Sequence, residues 1–310
     1  MLMSSSIKVF APATVANVGP GFDILGLAMD NIGDQLELTL RDGTGIAIDM
    51  PGSDLPTDPK LNVAGVSVQG LLDQVGSNQG IHITIHKNVA PGSGLGSSAS
   101  SAAGAVFGAN QLLGSPLRKY DLIKFAMMGE AVASGKAHAD NVAPSLLGGF
   151  TLVRNYYPLE VVNLSFPKDL VIVVIHPQIE VKTSDSKRIL RKDIPLEVAI
   201  KQWGNVAGLV SGLASADYEL IGKSLEDVIV EPVRSMLIPG FGELKTAALE
   251  NGALGCSISG SGPSVFALCN DPEIAEKVAK SFKDEYTTLG IDHELYISNI
   301  NEEGAKIISA

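Results

Sequence analysis

Residues 91–98 read PGSGLGSS, with glycines at 92, 94 and 96 directly before two serines. Glycine at alternate positions lets successive backbone N–H groups turn towards one point, and a helix starting at the serines adds about half a positive charge there. That is the chemistry of an anion cradle, with the hydroxyls of Ser97 and Ser98 able to donate to phosphate or approach a metal ion. The same residues also make an ordinary strand-to-helix turn with a serine cap, and locally both readings stay open. Glu130 is the second unusual group. Leu122, Ala126 and Glu130 repeat at four-residue spacing, so a helix over Leu117 to Ser134 sets a carboxylate beside an apolar stripe.

Common alternatives fail on spacing. The glycines follow G-x-G-x-G, whereas the dinucleotide fingerprint needs G-x-G-x-x-G and a later ribose-binding acid. Gly129 to Lys136 approaches a P-loop but has five residues before Gly135, and Ala137 stands where serine or threonine is required. GSGLGSS contains no G-x-S-x-G nucleophile elbow. Five histidines and two cysteines form no compact metal pattern, and His138 in HADN reads as locally structural.

The elements that must hold these groups alternate between strand and helix. Strands are expected at 7–11, 35–40, 46–49, 81–85, 171–176 and 294–299, and as a pair with a tight glycine turn in GALGCSISGSGPSVFALC. Between the first two strands, ATVANVGPGFDILGLAMDNIGD carries too many turn residues for a simple helix. Helices are expected at 63–75, 98–113, 117–134, 184–191, 196–221, 224–229 and 272–288. The 98–113 helix is rich in alanine, serine and glycine, which makes it slim enough to approach neighbouring backbone closely. Helices alternating with mostly antiparallel strands indicate α+β layers, and the Asn, Tyr and Pro residues of 155–170 mark the best boundary.

With 310 residues, 45% apolar and 18% charged, the chain can build one or two cores. A net charge of −11 opposes nucleic acid and anionic membranes, so an anionic ligand needs local basic groups or backbone donors. Cys256 and Cys269 are expected to be reduced thiols in a core. No signal-peptide pattern or apolar run of membrane length occurs, and a cytoplasmic location is the simplest expectation.

Three separated blocks, APATVANVGPGFDILG at 11–26, PGSGLGSSASSAAG at 91–104 and GCSISGSGPSVFAL at 255–268, together resemble the superfamily of galactokinases, homoserine kinases, mevalonate kinases and phosphomevalonate kinases. The resemblance implies a two-domain α+β small-molecule kinase fold. Its N-terminal nucleotide-binding domain (1–165) would be ribosomal protein S5 domain 2-like, with a left-handed βαβ unit. Its C-terminal domain (166–310) would be ferredoxin-like, with the active site between the two. The first block and TSDSKR at 183–188 most resemble the homoserine kinases. The activity implied is transfer of the γ-phosphoryl group of ATP to L-homoserine, in threonine biosynthesis. Another acceptor within the superfamily, or a noncatalytic nucleotide-binding protein, is the competing reading.

On this resemblance Pro91, Gly92, Ser93, Gly94, Leu95, Gly96, Ser97 and Ser98 hold the ATP phosphates. Glu130 and Ser98 bind Mg²⁺ and, with Asn141, form the catalytic set. Asn62 and Lys87 lie on the nucleotide side, Asn62 near the base. Arg188 and Arg234 offer guanidinium forks to the acceptor carboxylate, Asp23 pairs with its ammonium, and Asn17 and Asn141 position the amino acid and its hydroxyl. Gly260 brings backbone of the second domain to the cleft. Thr14 and Asn141 stand where mevalonate kinases resemble a lysine-containing site and a catalytic aspartate, so transfer without a side-chain base is expected. Oligomeric state is left open, although related kinases are often dimers and a homodimer is compatible.

Overall fold

Strand β1 (Ser6–Ala16) and strand β2 (Leu25–Arg41) are longer than their sequence pattern foretells. Their outer halves alternate, with Val9, Ala11, Leu36 and Leu38 facing a helical core. Their inner ends, Ala13 to Ala16 and Leu25 to Met29, are buried throughout because protein covers both faces. A strand covered twice loses the period-2 signal, which is why this stretch reads as turn-rich. Only residues 17–24 lie between the two strands. The computed structural model describes residues 5–179, 186 and 188–309.

With β3 (Ile46–Asp49), β4 (Gly80–His86) and β11 (Lys306–Ser309), the first sheet has the order β11-β1-β2-β4-β3, with β5 (Phe150–Tyr156) also on β2 and β6 (Leu159–Leu164) on β5. Strands β3 (Ile46–Asp49) and β4 (Gly80–His86) are parallel and joined through helix α1 (Val63–Val75); the other pairs are antiparallel. Helices α1, α2 (Ser97–Leu112), α3 (Ile123–Ser134) and α4 (Val142–Leu147) share one core with this sheet. The slimness of α2 is used as expected. A Cβ on Gly104 would stand 2.4 Å from Leu36, and one on Gly108 2.5 Å from Leu38.

The second sheet runs β10-β7-β9-β8, all antiparallel: β7 (Val171–Pro177), β8 (Gly255–Ile258), β9 (Val265–Cys269) and β10 (His293–Asn299). Numbered within the sheet this is 4-1-3-2, the ferredoxin-like order. Every residue of β7 is buried. Ile172 and Val174 join Val15, Leu27 and Phe266 in a core shared with the first sheet. Val171, Val173 and Ile175 face the core of α8 (Phe241–Glu250) and α9 (Pro272–Thr288). The two sheets therefore share one hydrophobic layer, and the groove above it is fixed by packing rather than by a flexible linker.

Four expectations need correction. The helix expected at 196–221 is two, α5 (Leu196–Ser215) and α6 (Tyr218–Ser224), separated where Ala216 adopts φ 55° and Asp217 caps the second. Of the helix expected at 224–229, Ser224 ends α6 and 225–229 are not helical, because the buried Asp227 carboxylate accepts the N–H groups of Ile229, Val230 and Glu231 ahead of α7 (Glu231–Arg234). Helix α8 and strand β11 (Lys306–Ser309) were not anticipated, and β11 returns to pair with β1, so the expected 166–310 unit gives its last strand to the first sheet. Of the helix expected at 184–191, residues 184, 185 and 187 lie outside the described residues; Ser186 and Arg188 are helical, and 189–191 are not.

Candidate active site

Gly92, Gly94 and Gly96 all adopt left-handed backbone, at φ 76°, 80° and 67°. Gly96 is the N-cap residue of α2, and no side chain caps the helix. The expected serine cap is absent because both hydroxyls are committed elsewhere: Ser97 Oγ donates to the Val89 carbonyl, and Ser98 Oγ donates to Glu130 at 2.5 Å. The first-turn amides of α2 thus lack a side-chain partner beside the loop, the condition under which a helix start binds anions. Close approach also demands glycine here. A Cβ on Gly96 would lie 2.0 Å from Thr14 Oγ1, and one on Gly94 would lie 2.6 Å from the Ser259 carbonyl of the other sheet's turn.

That turn is locked onto the loop. Ser259 Oγ donates to the Gly94 carbonyl, Ser264 Oγ to the Ser93 carbonyl, and Gly260 N–H to the Ala16 carbonyl. A cavity of about 510 Å³ opens between the two. Along one wall stand Met50, Leu55, Pro56, Leu61 and Val63, an apolar stretch suited to a flat heterocycle.

Glu130 on α3 is buried and faces Ser98 at the start of α2. Carboxylate and hydroxyl are hard oxygen donors next to an anion cradle, a set that fits Mg²⁺ held jointly with phosphate oxygens. Lys87 is spent on structure. Its ammonium donates to Asp34, the Ser97 carbonyl and Ser101, and burial pushes it below the usual lysine range against the pull of Asp34. Asp34 also accepts the N–H groups of Asn88 and Val89, so this buried pair fixes where the loop leaves β4 and enters α2. Removing one member of such a pair costs about 3–5 kcal/mol.

The opposite end is built from scattered segments. Asn17, Val18 and Asp23 adopt positive φ (69°, 43° and 61°) in the turn between β1 and β2, a costly backbone for non-glycine residues that persists only where the surroundings enforce it. Asn17 is the clamp: its Oδ1 accepts the Asp23 N–H and its Nδ2 donates to the Gly260 carbonyl. Asp23 lies 3.4 Å from His138. Arg234 is 4% exposed, stacks over Phe22, and donates Nη1 to Gly260 and Nε to Ser186. Among the described residues nothing accepts from its Nη2. Thr14 Oγ1 donates to Asn141 Oδ1 at 2.7 Å, so no carboxylate stands at this pair.

Of the residues expected from the sequence, Asn17, Asp23, Asn62, Lys87, Pro91, Gly92, Gly94, Gly96, Ser97, Ser98, Glu130, Asn141, Arg234 and Gly260 all line the cavity. Ser93 and Leu95 do not: each is buried away from it, Leu95 in the core between the sheets. Asn62 lines the wall as the N-cap of α1, its Oδ1 accepting the Ala64 N–H and its Nδ2 donating to Pro56. Arg188 is exposed and is not among the lining residues, so only Arg234 of the two expected arginines reaches the cavity. Of TSDSKR, residues 183–185 and 187 lie outside the described residues, while Ser186 donates to the Ser261 carbonyl beside the cavity.

His138, read from the sequence as locally structural, and Asp140, given no role there, both line the cavity. The HADN run was visible, but adjacency along a chain does not tell which way side chains point. Asp34 was missed as well, and nothing near it in sequence marks a buried acid.

Comparison with known proteins agrees with this geometry. The GHMP kinases N terminal domain matches residues 62–149, and the GHMP kinases C terminal domain matches 209–288. A homoserine kinase of Chlorobium phaeobacteroides (strain BS1) is 45% identical over 318 residues, covering 98% of this chain and 99% of that protein. The crystal structure of homoserine kinase from Cytophaga hutchinsonii superposes with a TM-score of 0.96 at 51% identity, covering 99% of both chains. A mevalonate kinase structure shares the fold at a TM-score of 0.73 and 16% identity, covering 97% of this chain and 100% of that one. Full-length identity at this level, together with the cradle, the Ser98–Glu130 pair and the interlocked glycine turns, means that the chain belongs to the GHMP kinases, within their homoserine kinase family.

Proposed function

We propose that this chain transfers the γ-phosphoryl group of ATP to the hydroxyl of L-homoserine, giving O-phospho-L-homoserine and ADP on the way to threonine. The observation that carries this reading is a single cavity with two unlike ends. Backbone donors and the Ser98–Glu130 pair stand at one end, and Asp23 and Arg234, of opposite charge, stand at the other. A zwitterionic amino acid with a terminal hydroxyl matches the second end while its hydroxyl points to the first.

In this reading the glycine loop and the start of α2 bind the phosphate oxygens, and the apolar wall receives the base. Ser98 and Glu130 would hold Mg²⁺, which when bound supplies positive charge to the phosphate oxygens. Asp23 takes the ammonium and Arg234 the carboxylate, while Asn17 holds Asp23 and Gly260 in place. Thr14 and Asn141 position the hydroxyl, and neither is a strong base. A loose phosphoryl-transfer transition state asks mainly for alignment and charge compensation, so transfer proceeds without a side-chain base and without a phosphoenzyme.

The test is an acceptor panel with Mg-ATP: L-homoserine, shikimate, mevalonate, a diphosphocytidyl polyol and a hexose, with ADP release and the phosphorylated product both followed. Homoserine should exceed every other acceptor by at least about 100-fold in kcat/KM, roughly 2.7 kcal/mol. A faster alternative acceptor, or tight Mg-ATP binding with no transfer to any of them, overturns the reading.

A further inference from the structure

In the first half of α5 the one buried side chain is polar. Gln202 is 6% exposed, while Leu196, Ile200 and Trp203 of the same helix are exposed and residues 203–208 are at most partly buried. A buried amide costs free energy unless its polar atoms are bonded, and what a bonded one contributes is a fixed geometry. Gln202 does not line the cavity. Each of its bonds nevertheless ends on a segment that carries acceptor-end groups.

Gln202 Nε2 donates to the Pro20 carbonyl at 2.8 Å and to Asp227 Oδ1 at 2.9 Å, and its Oε1 accepts the Val228 N–H at 2.9 Å. Pro20 belongs to the 17–24 turn that holds Asn17 and Asp23. Asp227 accepts the N–H groups of Ile229, Val230 and Glu231, and the Val230 carbonyl accepts the Arg234 N–H at 3.0 Å. One side chain outside the cavity thus ties the turn of Asp23 to the helix of Arg234. On the cavity side the two segments meet only lightly, through the Phe22 ring beneath the guanidinium and the Gly260 carbonyl, which accepts from both Asn17 and Arg234. Behind them a void of about 10 Å³ lies between Asn17, Asp227, Glu231 and Arg234, so close packing does not by itself fix the guanidinium.

We infer that Gln202 is a positioning residue that sets the separation of Asp23 and Arg234, so that the acceptor end measures the spacing between the two charged groups of its ligand. This rests on the kinase reading above and adds to it the side chain that makes the two charges act as one site. A misplacement of about 1 Å in such a pair weakens a ligand held at both points, whereas a ligand held at one point follows the group that moves.

The experiment compares wild type with Gln202→Met, which keeps the length and the unbranched shape and removes all three bonds. KM for L-homoserine should rise at least about tenfold, with kcat and the KM for Mg-ATP changed by less than about threefold. Two ligands that use one charge each, 4-hydroxybutanoate and 3-aminopropan-1-ol, are measured as competitive inhibitors against homoserine, and their binding should change by less than about threefold. Equal losses for homoserine and both analogues would make Gln202 merely structural, and a loss shared with one analogue alone would tie it to one group instead of to the spacing; either result overturns the inference, as does an unchanged homoserine KM. Combined with Arg234→Lys, the rise in KM should fall at least about threefold short of the product of the two single rises, because both changes act on one group; a full product also counts against it. Unmodified protein gives an arm that does not depend on the variant folding. Linkage requires that homoserine stabilise the network that positions it, so the Val228, Ile229 and Val230 amides should exchange with solvent deuterium at least about tenfold more slowly when homoserine is bound, and unchanged rates sink the inference. If wild type transfers phosphate to no homoserine at all, it is the kinase reading that fails, and the two failures are told apart.

Discussion

The two ends of the cavity are built on opposite principles. The end proposed to bind phosphate comes from one continuous stretch, residues 91–98, where three left-handed glycines precede the start of α2. The end proposed to bind the acceptor is assembled from side chains at 17–23, 138–141 and 234 and from the Gly260 turn, segments from both sheets and their connections. A backbone cradle carries no net charge and can rest without its ligand. Buried side-chain carboxylates carry a desolvation cost, and Asp140 shows it in its unpartnered oxygen and raised pKa. Backbone donors are cheap to maintain, whereas buried side-chain charges cost free energy.

The sharpest break of the phosphate end is Glu130→Gln. Glutamine can still accept from Ser98, so packing survives while the charge is lost. We expect kcat to fall at least about 100-fold, equally for every acceptor, and the Mg²⁺ concentration needed for half-maximal rate to rise. Steady-state kinetics across a Mg²⁺ titration checks this, and a loss confined to one acceptor would move Glu130 to the other end.

The stored cost at the acceptor end should appear as a pH effect on stability. Asp140 faces Asp23, Glu130, Arg234 and Tyr156, with His138 beside Asp23, and its pKa rises from 3.8 to about 8 on folding. The native state keeps a proton that the unfolded chain releases above about pH 4, so stability falls as pH rises from about 4 to about 8 and then levels. Asp140→Asn removes that slope. The stability of the variant relative to wild type should therefore grow by about 4 kcal/mol between pH 5 and pH 8, read from denaturant unfolding without ligands. Parallel profiles would mean that Asp140 is not held protonated.

Arg234→Lys is the subtlest test, since it preserves the positive charge and removes only the planar fork. KM for homoserine should rise about tenfold, roughly 1.4 kcal/mol, with Mg-ATP affinity changed far less and the carboxylate-free 3-aminopropan-1-ol less affected. Equal losses for the two acceptors would take Arg234 off the carboxylate.

Much of the scaffold was legible from the chain alone because local rules decide it. Helix α1 and helix α9 begin and end where their sequence signals say: Asn62 and Asp271 cap them, and their apolar faces repeat at helical spacing. The glycine cradle was legible because its geometry is a property of consecutive residues. Resemblance then brought Glu130, Asn17, Asp23 and Arg234 to one site, which no local rule could do.

Other features belong to the tertiary structure. The inner ends of β1 and β2 and the edge strand β11 depend on partners far along the chain, and their residues lose or lack the alternation that marks a half-buried strand. Lys87 looks like a solvated lysine until Asp34, 53 residues away, buries with it. Asp140 sits beside Asn141 in an unremarkable HADN run, and only the packing of Gly26 and Tyr156 around it makes it a buried, unsatisfied acid. Sequence spacing determines which backbone can converge on a phosphate. Which charges end up desolvated together is set by the fold, because desolvation depends on everything that surrounds a group in space and on nothing that its neighbours in the chain can report.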